Sequence, residues 1–227
     1  MNEVEIVNAA LMRIGISDLV TSSDGTLASA TSTGQITSKS QFWFPLVRDQ
    51  MLSSWYWRFA RKYALLVEAS DGSGPPAEAW STEWDSAFTV PADMLRARRF
   101  VSGTQAPYAT WRYPEDADRL YGYNYKFVVR VHNDVKVLLA NVPPALAHLE
   151  YTEAITDAER FPSTFAMLLA WRLAVDLAGP LSSDASLAQF ALVAYQTELP
   201  LAMNIDANEE QAPDAPDDVF VTARGAS

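Results

Sequence analysis

The stretch from Glu150 to Leu181, EYTEAITDAERFPSTFAMLLAWRLAVDLAGPL, most constrains what this chain can fold into. From Phe161 to Ala178 it reads as a helix that is apolar on nearly every side. After Ser163, its interior polar residues are Thr164, Arg172 and Asp176, which fall within about a third of the circumference. A helix that shows one side to water does not need so many apolar residues. This one is expected at the centre of a large core or against a second surface, such as another subunit. Arg172 and Asp176 would sit inside a span of barely sufficient length, which argues against a membrane crossing.

Composition narrows the partners. The 227 residues carry a net charge of −11, and 49% of them are apolar, enough for a sizeable core. So acidic a chain is not expected to grip nucleic acid by counterion release, or to bind an anionic membrane. The excess is uneven: Asp206 to Asp218 holds six acids and no base. There is no cysteine, which removes disulfides, thiolate nucleophiles and cysteine metal sites and suits a reducing cytoplasm. The opening MNEVEIVNAALMRIG carries acids where an export signal wants bases.

Local patterns predict an α+β fold: mainly helix, a bundle with an inserted antiparallel β-sheet or hairpin, and a mobile acidic C-terminal tail. Asn2 and Glu5 form a capping box ahead of the stripe Val4, Val7, Leu11 and Ile14, so a helix is expected over 3–15, with Gly15 at its C-cap. Residues 21–40 are rich in Ser, Thr, Gly and Ala and read as an exposed loop or mobile arm. A second helix is expected over 40–59, burying Phe44, Val47, Met51 and Trp55, with Pro45 near its start. Asp71–Pro76 reads as a loop. The β insertion spans about 85–151: an extended segment broken at Pro91-Ala92-Asp93, a hairpin turning at His132-Asn133-Asp134, and a third strand over 147–151. A helix over 161–178 stops at Gly179-Pro180. The last runs over 185–203 with Leu187, Phe190, Ala194 and Glu198 on one line, and Pro200 breaks or kinks it. One large domain, or a helical domain with an insertion, over 1–205 and an extended tail over 206–227 follow.

No catalytic, metal or cofactor site is expected. His132 and His148 stand alone, with no Cys, HExxH or Gly-x-Ser-x-Gly. Asp71-Gly72-Ser73-Gly74 is followed by two prolines rather than by a phosphate-binding helix. Glu150 with Glu153, or Asp116 with Asp118, have a spacing that chance supplies in a chain with 28 acids. The basic cluster Arg96, Arg98 and Arg99 reads as a partner contact, with Arg96 and Arg98 on one strand face. Trp55 and Trp57, in the run Trp55-Tyr56-Trp57-Arg58-Phe59, suit core and interface better than base stacking. Arg172, Asp176 and the apolar tail anchor Val219-Phe220-Val221 complete the candidate subunit and partner contacts.

Several segments, in order, resemble the tail tubular protein A family, the head-to-tail adaptors of tailed bacteriophages. These are EIVNAALMRIGI; FPLVRDQMLSSWYWRFARKYALL, with Trp57-Arg58-Phe59-Ala60 matching a Trp-x-Phe-Ala signature; FTVPADMLRARRF, with Val90 for the usual Leu; and LEYTEAITDAERFPSTFAMLLAWRLAVDLAGPLSSD. The resemblance covers most of residues 3–205. Pro200 departs from it, as does the compact turn at residues 132–134. It implies a helical bundle carrying a small antiparallel β domain. It also implies a ring, usually of twelve copies, between the portal and the tail tube or nozzle, with DNA passing through as non-specific cargo. Such a protein is made in the host cytoplasm and ends in the virion. It needs no catalytic residue and no cofactor, and an acidic conduit repels DNA slightly. Two other readings stay open: a peptidoglycan-degrading virion hydrolase, and a different neck or tail-completion connector.

Overall fold

The computed structural model describes residues 1–32, 35–69, 83–101, 126–132, 135–144, 147–182 and 184–208. The fold is α+β. The helices are α1 (Glu3–Arg13), α2 (Ile36–Ser54), α3 (Ser163–Ser182) and α4 (Ala185–Asn208). The strands are β1 (Arg61–Leu65), β2 (Ser86–Thr89), β3 (Met94–Val101), β4 (Phe127–His132), β5 (Val135–Ala140) and β6 (His148–Glu153). The chain divides into two compact units. The first holds Met1–Lys62, Asp93–Arg96 and Tyr151–Ala207; the second holds Tyr63–Ala92, Ala97–Glu150 and Asn208–Ser227.

The first unit is the helical one. Its α1 starts on the expected capping box: Asn2 Oδ1 accepts the Glu5 N–H at 2.8 Å and Glu5 Oε2 accepts the Asn2 N–H at 3.0 Å. Residues 21–32 form the exposed loop, one of the two expectations for 21–40, and side chains of α1 tie it down. Asn8 holds both the N–H and the carbonyl of Val20, at 2.8 and 2.9 Å, and Glu3 accepts the Leu27 N–H at 2.8 Å. Val20, Leu27 and Ala30 are buried. Gly25 has φ +77, and a Cβ there would meet the Asn2 side chain at 2.9 Å, so only glycine fits against the cap. Helix α2 begins at Ile36, within that segment. Phe44, Val47 and Met51 face inward as expected, with Pro45 tolerated in the helix interior.

The long apolar helix α3 has nine buried residues in the core of this unit, among them Phe165, Leu169, Leu173 and Leu177. Length and composition would let it cross a membrane. The two charges thought to forbid that, Arg172 and Asp176, pair with each other at 2.9 Å. Gly179-Pro180 does not stop α3. Proline in the last turn removes only one N–H, and Lys39 Nζ donates to the Pro180 carbonyl at 2.7 Å. Pro200 does not break α4 either: Gln196 and Pro200 are both exposed, so the carbonyl left without its helical partner faces water. The inward line of α4 is Ala191, Ala202 and Asp206, flanked by Ala188, Tyr195 and Leu199, and not the expected Leu187, Phe190, Ala194 and Glu198.

The second unit holds the sheet β2-β5-β4, antiparallel throughout. The hairpin is as expected, with His132 opposite Val135 in register. Ala87, Val137 and Leu139 form its small core. Phe100 of β3 stacks near Phe88 and Phe127, at 6.3 and 5.7 Å between ring centroids. The expected third strand exists as β6, but it lies in another sheet, of order β1-β6-β3. Asp71–Pro76 and most of the tail from Asp206 onward lie outside the described residues.

Candidate interaction surface

Trp57, expected to serve core and interface, is only 2% exposed and belongs to the core. Helix α2 ends at Ser54, where Trp55 turns extended, so Trp57 lies beyond the helix. Its indole N–H donates to the Met51 carbonyl at 2.8 Å, satisfying one of the acceptors that a helix end leaves open. Its ring meets Phe165 edge-on at 5.1 Å, and Phe59 packs against both Phe161 and Phe165. Trp55 is half-exposed at the C-cap of α2.

A polar network lies in the same unit. Lys62 pairs with Asp93 and, at 3.4 Å, with Glu153. Tyr151 donates its hydroxyl to Asp93 at 3.0 Å, and Arg160 holds Glu153 at 2.9 Å. Burial works against the Asp93 carboxylate, but the hydrogen bonds from Lys62 and Tyr151 outweigh it and hold its pKa below the usual range. The hydrogen bond from Arg160 does the same for Glu153, against the cost of its own burial. Burial, then the bond to Asp93, push the Tyr151 phenol up to about 12.

The expected basic cluster is dispersed among separate duties. Arg96 donates to the Ser53 carbonyl at 3.1 Å. Arg98 is half-buried and engaged within the chain. Arg99, on the alternate face of β3, pairs with Glu150, whose fully buried carboxylate also accepts the Tyr63 hydroxyl at 2.9 Å. Glu150 and Glu153 thus serve different cations, and three residues apart on a strand they point to opposite faces. Asp116, Asp118, Val219, Phe220 and Val221 lie outside the described residues. Among the described residues, no group of three or more His, Asp or Glu could hold a metal.

Two helices expose large apolar side chains. On α4, Phe190, Val193 and Leu201 are 59%, 55% and 53% exposed, and Ile205 is also open. On α2, Phe42 and Leu46 are 61% and 51% exposed. A groove of about 300 Å³ lies between α3 and α4, lined by Met167, Trp171, Leu201, Ile205 and the single carboxylate Glu198. Arg13 stacks on Trp171, its guanidinium carbon 4.2 Å from the ring centre. Burial lowers the Arg13 pKa, with Glu198 working the other way. The signal for α4 was present: between Ala185 and Ile205 the only charged residue is Glu198.

No protein-family model matches the chain, and no curated protein matches it.

Proposed function

We propose that this chain is a structural head-to-tail adaptor, similar to tail tubular protein A, forming a ring between portal and tail through which DNA passes. One observation carries the reading. The segments that resemble that family lie far apart in sequence, yet their distinctive residues converge in the helical unit. Phe59, of the Trp-x-Phe-Ala signature, packs on Phe161 and Phe165. Asp93, of the Pro-x-Asp segment, accepts the hydroxyl of Tyr151, near the end of β6. Residues that merely happened to match would not be expected to share contacts. The carboxylates of Asp93 and Glu153 add to this, since each is committed to a neighbouring cation or phenol.

The test is assembly. Purified protein mixed with the portal of the same phage should give, by negative-stain electron microscopy and native mass spectrometry, a ring of this chain stacked on the portal. A chain that ignores the portal, and digests peptidoglycan in a zymogram, would overturn the reading in favour of the hydrolase.

A further inference from the structure

We propose that the outer edge of β4 is covered by this chain's own C-terminal segment Asp217–Thr222, which adds to it as an antiparallel strand. The contact lies within one chain and does not depend on what the protein assembles with.

β4 ends the sheet β2-β5-β4, so among the described residues no strand takes up its outer backbone groups. The opposite edge is already occupied. The Thr89 N–H donates to the Val67 carbonyl at 2.9 Å and the Ala69 N–H to the Ala87 carbonyl at 2.8 Å. On β4, Val129 and Val131 are 39% and 68% exposed. Lys126, Arg130 and Lys136 are exposed beside them. From Lys126 to Lys136 the hairpin has three bases against one acid, Asp134, in a chain of net charge −11. Among the described residues none of these three cations is in an ion pair, although Arg48, Lys62, Arg99, Arg160 and Arg172 all are.

Charge selects the occupant. Cations on an edge strand repel another basic strand, a second copy of β4 included, and admit an acidic one. Asp217–Thr222 reads DDVFVT: two acids, then β-branched and aromatic residues, with no proline. It has six residues, the length of β4. Glu209–Pro216 joins it to the end of α4, a span of up to about 30 Å when extended. One register uses every residue of β4. With Phe220 opposite Val129, the pairing runs from Asp217 opposite His132 to Thr222 opposite Phe127. Phe220 then lies on the face of Val129 and Val131. Asp218, opposite Val131, shares that face with Lys136, and Asp217 falls on the alternate face with Arg130. A slip of one residue would carry Phe220 to the wrong face.

The chain has no cysteine, so an introduced pair reports this contact cleanly. The test is the rate of disulfide formation in the dilute full chain, read by mass spectrometry. Directly opposed residues of an antiparallel pair are close enough to be bridged. Val129→Cys with Phe220→Cys should close within one chain at least tenfold faster than Val129→Cys with Val219→Cys, whose side chains face opposite ways. Should Val129→Cys lower the melting temperature, Val131→Cys with Asp218→Cys carries the same arm at a more exposed position. Adding Arg130→Glu and Lys136→Glu should slow the Val129–Phe220 closure at least tenfold, and Asp217→Lys with Asp218→Lys in that same chain should restore it. Equal rates for the two Val129 pairs overturn the proposal. So do disulfides found only between chains, which would give the edge to a second copy. A closure that ignores the charge reversals overturns it too, since charge is what selects this segment.

Discussion

Both carboxylate oxygens of Asp206 accept the backbone N–H of Arg58, at 2.9 and 3.1 Å. Arg58 opens the short 3-10 turn Arg58–Ala60, and Asp206 is buried in the last turn of α4. The bond ties the end of the last helix to the segment that carries Trp57, so Asp206 belongs to the folded unit and not to the acidic tail. Asp206→Ala should lower stability by about 1–3 kcal/mol, since it orphans a part-buried donor. A chain ending at Ile205 should melt below one ending at Asn208. Equal melting temperatures for the two truncations would deny Asp206 this role.

Trp57→Ala should cost about 3–5 kcal/mol, the usual range for emptying a large aromatic site in a core. Trp57→Phe should keep most of the packing and lose the bond to the Met51 carbonyl, about 1 kcal/mol. Urea denaturation separates the two. A near-neutral Trp57→Ala would mean that the residue serves an interface after all.

Arg99→Ala should damage the fold rather than docking. It strips the buried Glu150 carboxylate of its counter-ion, a loss of about 3–5 kcal/mol where such a pair is fully enclosed and less here, because Arg99 itself is partly exposed. Arg99→Ala with Glu150→Gln should recover part of that loss in thermal melts. No recovery would show that the two residues are not coupled.

Acid should remove the contribution of Glu153. Its folded pKa lies below the ordinary glutamate value of 4.5, so its stabilising effect is complete above that value and disappears as pH falls through the folded one. Glu153→Gln should therefore melt below wild type at pH 7, by an amount worth at most about 1 kcal/mol, with the gap closing below about pH 4.5. A gap that stays constant down to pH 3 would assign the effect to packing instead.

Salt should strengthen self-association. Going from about 0.01 M to about 1 M shortens the screening length from about 30 Å to about 3 Å, which weakens repulsion between copies at −11 each. Light scattering across that range reads the effect. Association that weakens with salt would point to ion pairs rather than apolar contact.

Short-range chemistry was legible without coordinates. The Asn2–Glu5 capping box, the β4–β5 hairpin and the apolar character of α3 depend on neighbours within a few residues, and periodicity or turn chemistry reports them. Proline and serine-rich stretches misled, because a local preference yields to packing. Pro180 and Pro200 stay within helices, each at the cost of a single backbone bond. Val20 and Leu27 are held by Asn8 and Glu3, partners that a local preference does not reveal. The site residues divide along the same line. That α4 is almost free of charge can be read from the chain itself. Which of its apolar residues face outward was decided by its tertiary packing, which turned Ala191, Ala202 and Asp206 inward and left Phe190 and Val193 open. The same packing buried Trp57 and gave Arg99 to Glu150, since a side chain's partners depend on which distant segments the fold brings beside it.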